Sequence, residues 1–213
     1  NCVDCQAVFA GKPAPTFGSR CVSWISVGCQ AVTGASSLAT SFARGLCMYQ
    51  LILGGARSGK SRLAEKLAAE SGLAVIYIAT SQPLDGEMNE RVTLHRQRRP
   101  DHWGLVEEPI DLARVLQENA ATDRCLLVDC LTLWLTNLLM LEDPARLACE
   151  RDQLLQTLAS LPGEIIFVSN ETGLGVGPLG ELTRRYVDEA GWLHQALAEQ
   201  CQRVVLTVAG LPL

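Results

Sequence analysis

Residues 48–61 read Met-Tyr-Gln-Leu-Ile-Leu-Gly-Gly-Ala-Arg-Ser-Gly-Lys-Ser: a short apolar run, a glycine-rich turn, and the start of a segment with helical spacing. No other stretch constrains the fold as tightly. The spacing Gly54-x-x-x-x-Gly59-Lys60-Ser61, after a strand and opening a helix, is the Walker A pattern in its required context. Gly54, Gly55, Ala56, Arg57, Ser58 and Gly59 are expected to turn backbone N–H groups toward phosphate oxygens. The positive end of the following helix reinforces that grip. Lys60 is the residue expected to reach the β- and γ-phosphates, with the Ser61 hydroxyl on Mg²⁺.

The remainder of this segment alternates strands with helices. Apolar runs at Ala74–Ala79, Cys125–Asp129 and Glu164–Ser169, with Arg203–Ala209 at the end, read as further strands. Gly104–Glu107 reads as a shorter one. Helices are expected over residues 60–71, 85–99, 109–118, 144–161 and 180–202, with an apolar helical stretch after Asp129. Pro109 is taken to open the third of these. Strands that are nearly all apolar, separated by helices, predict an α/β fold with a mostly parallel sheet covered by helices on both faces. In such a sheet ligands bind beyond the carboxyl ends of the strands. The glycine loop, Thr80–Ser81, Asp129 and the loop after Ser169 should therefore share one edge.

Residues 1–47 differ in character. They are rich in Gly, Ser, Ala, Thr and Cys, contain no Glu and one Asp, and show little periodicity. No basic stretch leads into a continuous apolar one, so a secretory signal is not expected; Ser37–Arg44 has a weak transit-peptide flavour. The functional domain is expected to span 48–213, with 1–47 an extension, disordered or foreign to the working protein.

The 213-residue chain carries a net charge of −5, which argues against a nucleic-acid surface built on bulk charge. The longest apolar run, Leu131–Leu141, is too short to cross a bilayer, so no stable membrane insertion is expected. Cys2 and Cys5 form a C-x-x-C without a second pair, a poor zinc framework. Cys125, Cys130, Cys149 and Cys201 lie in or beside apolar runs and are expected as small core residues, in a cytosolic protein.

Asp129, at the end of its apolar strand, is placed to hold a metal through water; capping the following helix is the other reading. The stretch His95-Arg96-Gln97-Arg98-Arg99-Pro100 is unusual. On a helix, Arg91, Arg98 and Arg99 share a face with His95, where they disfavour the imidazolium and keep the ring nucleophilic. A solvated basic face fits the same spacing. Ser169–Pro178 carries three alternating glycines, suited to close over a ligand or merely to connect. His102 and His194 are expected at the surface, and Trp134, Leu135 and Leu138 in the core.

Taken in order, Gly54–Ser61, Tyr77-Ile-Ala-Thr-Ser81, Arg91–Pro100, Val128-Asp-Cys-Leu-Thr132, Thr136-Asn-Leu-Leu139 and Ser169–Pro178 closely resemble the bifunctional adenosylcobinamide kinase/adenosylcobinamide-phosphate guanylyltransferase family. The resemblance runs from Met48 to Leu213, stopping a few residues short of a usual terminus, and leaves 1–47 without a counterpart. It implies a P-loop, RecA-like fold, a homotrimer, and two reactions in one site. ATP or GTP phosphorylates the aminopropanol hydroxyl of adenosylcobinamide. A histidine then takes GMP from GTP, and adenosylcobinamide phosphate displaces it to give adenosylcobinamide-GDP. By position, His95 matches that histidine. Ala79, Thr80, Ser81, Arg96, Gln97, Arg98, Arg99, Glu107 and Asp129 match nucleotide-contacting positions. A small-molecule kinase without nucleotidyl transfer and a non-catalytic GTP-binding switch are the competing readings.

Overall fold

The computed structural model describes residues 47–82 and 100–213. The expected helix at 85–99 lies outside them, as do residues 1–46 of the N-terminal extension. Within them the chain forms β1 (Met48–Gly54), α1 (Lys60–Glu70), β2 (Ala74–Ala79), β3 (Gly104–Glu107), α2 (Leu112–Asn119), β4 (Arg124–Asp129), α3 (Leu131–Met140), α4 (Pro144–Leu158), β5 (Glu164–Asn170), α5 (Glu181–Gln200), β6 (Arg203–Val208) and β7 (Leu211–Pro212).

The strands form one sheet in the order β3-β2-β4-β5-β1-β6-β7. Every pairing is parallel except that of β6 with β7. Alternation along the strands explains how both faces are covered. In β4, Leu126 and Val128 join a cluster with residues of α2, α3, α4 and α5, while Cys125 and Leu127 join one with Ala64 and Ala68 of α1. Two apolar faces on one strand satisfy a sheet sandwiched between helix layers, and each leucine buried this way contributes about 2 kcal/mol. Trp134, Leu135 and Leu138 are buried as expected, with the Trp134 indole N–H donating to the Ile110 carbonyl at 2.7 Å. The α/β class expected from the sequence, a mostly parallel sheet with helices on both faces, holds, with one strand, β5, between the glycine-loop strand β1 and the Asp129 strand β4.

Three local expectations are corrected. Pro109 does not open a helix: the Glu108 carboxylate accepts the N–H groups of Ile110 and Asp111, both at 3.0 Å, which holds a turn there, and α2 begins at Leu112. The last strand stops at Val208, because Ala209 and Gly210 both take positive φ (51° and 84°) and reverse the chain into β7. Two consecutive left-handed residues make the tight turn that suits a twisted hairpin. The third concerns the cysteines. Cys125 is buried and Cys130 and Cys201 are half-buried, but Cys149 is exposed on α4.

Candidate active site

The glycine loop closes at Gly59, which stands at the head of α1 with φ 95°. No side chain caps α1, and its first turn carries no acidic residue. By contrast α4 is capped by Asp143, whose carboxylate accepts from the N–H groups of Ala145 and Arg146. The uncapped α1 leaves its helix-end donors for an anion. The loop's carbonyls are drawn away by protein donors. Glu171 N–H donates to Gly54 O (3.1 Å), Gly210 N–H to Ser58 O (2.7 Å), and Ser58 N–H to Gly55 O (3.2 Å). Lys60 Nζ reaches back to the same Gly55 carbonyl at 3.2 Å. The loop therefore presents donors and a cation to an incoming ligand.

Two glycines of the motif have different reasons to be there. A Cβ at Gly54 would lie 2.4 Å from Ser58 Oγ and 2.6 Å from the Thr207 carbonyl, so the side chain of alanine does not fit. A Cβ at Gly55 would meet nothing within 4 Å, which leaves room for a ligand to approach the backbone. Gly54→Ala is expected to cost about 1–3 kcal/mol of stability and to weaken GTP binding. Denaturant melts and a GTP titration of the variant check both.

Asp129 stands at the tip of β4, two strand positions from Gly54, about 10 Å across the sheet. Tyr77 O–H donates to its Oδ2 at 3.0 Å. The carboxylate does not cap α3, whose N-cap is Cys130 with no side-chain hydrogen bond. That removes the alternative reading of this residue. Desolvation pushes the Cys130 thiol up to about 11, with Asp129 adding to the rise and Leu133, Thr132 and Lys60 opposing it. Lys60 and Asp129 thus act on one neighbourhood.

The remaining candidates are distributed along the same edge. Ala79, Thr80 and Ser81 end β2 and lead out of it. Thr80 is fully buried, and its hydroxyl is committed to Cys130, donating to the carbonyl at 2.7 Å and accepting the N–H at 3.0 Å. Asn137 on α3 ties this end down by donating to the Thr80 and Pro109 carbonyls. Glu107 is exposed at the end of β3, the edge strand, four positions from β1 and so roughly 19 Å along the sheet. His95, Arg96, Gln97, Arg98 and Arg99 lie outside the described residues. The loop after Asn170 is open to solvent, with Leu174, Val176 and Leu179 each more than four-fifths exposed.

A divalent cation fits here only as a shared ligand. Among the described residues no three His, Cys, Asp or Glu side chains converge on a point. Ser61 at the start of α1 and Asp129 offer one hydroxyl and one carboxylate, the sparse protein contribution typical of Mg²⁺ held mainly by phosphate and water.

His102 is exposed, as expected, but His194 is not a surface residue. It is 8% exposed, and its Nε2 lies 2.8 Å from Ser169 Oγ at the end of β5. The signal was present: Ala190, Leu193, His194 and Leu197 form the buried stripe of α5 at helical spacing. Tyr77, Ser169 and the Ala209–Gly210 turn were likewise not anticipated as supports of the site. Burial lowers the His194 pKa from 6.5, against a smaller opposing pull from Glu171. The unfolded chain therefore takes up a proton near 6.5 that the folded chain refuses. Stability from this residue is full above that pH and declines as the pH falls from 6.5 toward the depressed value. Denaturation at pH 7.5 and 5.5 should show the loss, and His194→Gln should reduce it.

With the geometry in hand, comparison with known proteins is decisive. The family model described as cobinamide kinase/cobinamide phosphate guanyltransferase matches residues 50–213. The bifunctional adenosylcobalamin biosynthesis protein CobP of Pseudomonas aeruginosa is 70% identical over 166 residues, spanning 78% of this chain and 96% of that protein. The chain belongs to the cobinamide kinase/guanyltransferase family. The CobU proteins of Escherichia coli and Salmonella typhimurium, also named bifunctional adenosylcobalamin biosynthesis proteins, are 38% and 39% identical, each over 77% of this chain and 97% of theirs. Solved structures similar to it include the RadB recombinase (18% identity, TM-score 0.45, 75% of this chain and 73% of that one). Another is the flagellar accessory protein FlaH from Methanocaldococcus jannaschii (12%, TM-score 0.41, 78% and 74%). As a member of the cobinamide kinase/guanyltransferase family the chain is an enzyme, a transferase of cobalamin biosynthesis with a P-loop nucleotide site. Among the described residues no helix is long and apolar enough to cross a membrane.

Proposed function

We propose that this chain phosphorylates the aminopropanol hydroxyl of adenosylcobinamide with ATP or GTP, then transfers GMP from GTP to adenosylcobinamide phosphate through a GMP–His95 intermediate. The observation that carries the reading is the convergence at one sheet edge of the uncapped α1 N-terminus, Lys60 and the Tyr77-held Asp129. Residues Gly54 to Ser61 hold the triphosphate through backbone N–H groups, and Lys60 neutralises charge on its outer oxygens. Mg²⁺, held by Ser61 and Asp129 with the phosphates, would supply further charge neutralisation when bound.

In the first reaction the substrate hydroxyl attacks the γ-phosphorus, loses its proton, and the nucleoside diphosphate leaves. In the second, His95 attacks the α-phosphorus of GTP, forming an N–P bond as the bond to pyrophosphate breaks. A phosphate oxygen of the substrate then displaces the imidazole, regenerating His95. Two displacements let one cationic site stabilise each leaving anion in turn. On this proposal Arg96, Gln97, Arg98 and Arg99 serve the nucleotide together with His95, as do Ala79, Ser81 and Glu107, while Thr80, buried with its hydroxyl on Cys130, supports the end of β2 from behind.

The test is incubation with α-³²P-GTP and Mg²⁺, followed by a search for acid-labile, base-stable label on the protein. A labelled protein supports the reading. Unlabelled protein that still phosphorylates adenosylcobinamide leaves a simple kinase; neither activity leaves a GTP-binding switch. We further propose a cytoplasmic homotrimer whose working domain is 48–213. A chain starting at Met48 is expected to keep both activities within about twofold, a difference too small to reflect a lost catalytic contact. Parallel assays and light scattering check this, and a larger loss would make residues 1–47 part of the machinery.

A further inference from the structure

The end of β5 is held by two helices at once. Ser169 Oγ, 1% exposed, takes a hydrogen bond with His194 Nε2 of α5 at 2.8 Å. The next residue, Asn170, donates its backbone N–H to Thr132 Oγ1 in the first turn of α3 at 2.8 Å, and the two hydroxyls face each other at 3.5 Å. The residue after that, Glu171, donates its N–H to the carbonyl of Gly54, the first residue of the phosphate loop. Its carboxylate also accepts the Gly173 N–H at 2.6 Å, which closes the turn on itself. Three consecutive residues thus connect α5, α3 and the loop, and β5 separates the two strands that carry Gly54 and Asp129.

We propose that His194 is a positioning residue for the triphosphate site. Through Ser169 it fixes the β5 tip, so that the Glu171 N–H draws the Gly54 carbonyl outward and leaves the loop's donors facing the ligand. The imidazole touches no reacting group in this scheme. It acts by removing the rotational freedom of a buried hydroxyl whose own residue is one peptide from the Asn170 anchor. A leucine at 194 fills the space and leaves the Ser169 hydroxyl only the longer contact with Thr132 Oγ1. Glutamine restores a hydrogen-bonding group near the Nε2 position. The inference rests on the reading of Gly54–Ser61 as the triphosphate grip.

The test measures GTP affinity by titration, and KM and kcat of the kinase reaction for the nucleotide, in the wild type, His194→Leu, His194→Gln, Ser169→Ala and the double variant His194→Leu/Ser169→Ala. Leu197→Val, in the core on the same helix, controls for lost stability. His194→Leu is expected to raise the nucleotide KM about tenfold, in line with the loss of one buried hydrogen bond, with kcat changed far less. His194→Gln should recover most of that affinity, and the double variant should bind no worse than His194→Leu. Equal KM values in His194→Leu and Leu197→Val, or effects of His194 and Ser169 that simply multiply, would overturn the proposal. If His194→Leu fails to fold, Ser169→Ala against Leu197→Val decides by the same criterion. A wild type that binds no triphosphate removes the underlying reading, and the inference with it.

Discussion

Lys60→Ala is expected to lower both half-reactions by about two to three orders of magnitude, the usual consequence of removing one charged group that stabilises a transferring phosphoryl. The two activities fall together because they share one triphosphate grip. Lys60 ends the loop and reaches back to Gly55 O, so its ammonium already lies over the backbone that would hold the phosphates. The first turn of α1 has no side-chain cap and no acidic group to reorganise when the ammonium is removed. Steady-state kinase assays and formation of α-³²P label should be run side by side. Normal label formation in a kinase-dead Lys60→Ala protein would mean that the two reactions hold their triphosphates differently.

His95→Ala is expected to do the opposite and separate them. Covalent label should vanish, and adenosylcobinamide-GDP formation should fall by about 10³ or more, the scale of losing a covalent nucleophile. The kinase step should persist within roughly threefold, since no imidazole is required for a hydroxyl to attack the γ-phosphorus. The physical basis is the sequence setting. Arg91, Arg98 and Arg99 stand at helical spacing from His95, a sequence pattern that on the proposed reading would disfavour a fourth positive charge on its ring. Glutamine at 95 serves as a second variant, isosteric enough to retain the nucleotide pocket. Undiminished label in either variant would move the nucleophile elsewhere.

The fold class was legible because each strand carries its own signature. A run such as Cys-Leu-Leu-Val is apolar on both sides, and only a sheet buried on both faces uses it. The phosphate loop was legible because its chemistry is local: glycines, a lysine and a helix start within eight residues. Asp129 was only half legible. A strand-end carboxylate can cap the following helix or hold a metal, and only the structure shows that Asp129 caps no helix and accepts from the Tyr77 hydroxyl instead. Pro109 misled because the sequence rule for helix starts saw a proline but not the Glu108 carboxylate occupying the donors that follow it. His194 was misplaced for a related reason. Its polarity suggested solvent, while its position on the 190–193–194–197 stripe pointed inward, toward a serine 25 residues earlier in the chain.

By itself, then, the sequence determined the phosphate loop, the alternation of strands and helices, and the family to which the chain belongs. Those properties depend on residues near one another along the chain, or on a pattern that repeats with the pitch of a helix or strand. Only the tertiary structure decided the strand order, which sets β5 between Gly54 and Asp129 and so brings Glu171 to the loop's first carbonyl. It also decided that Gly210, some 150 residues beyond the loop, clamps Ser58 from outside. Hydrogen bonds between segments that distant carry no local spacing, because their geometry exists only once the sheet has assembled.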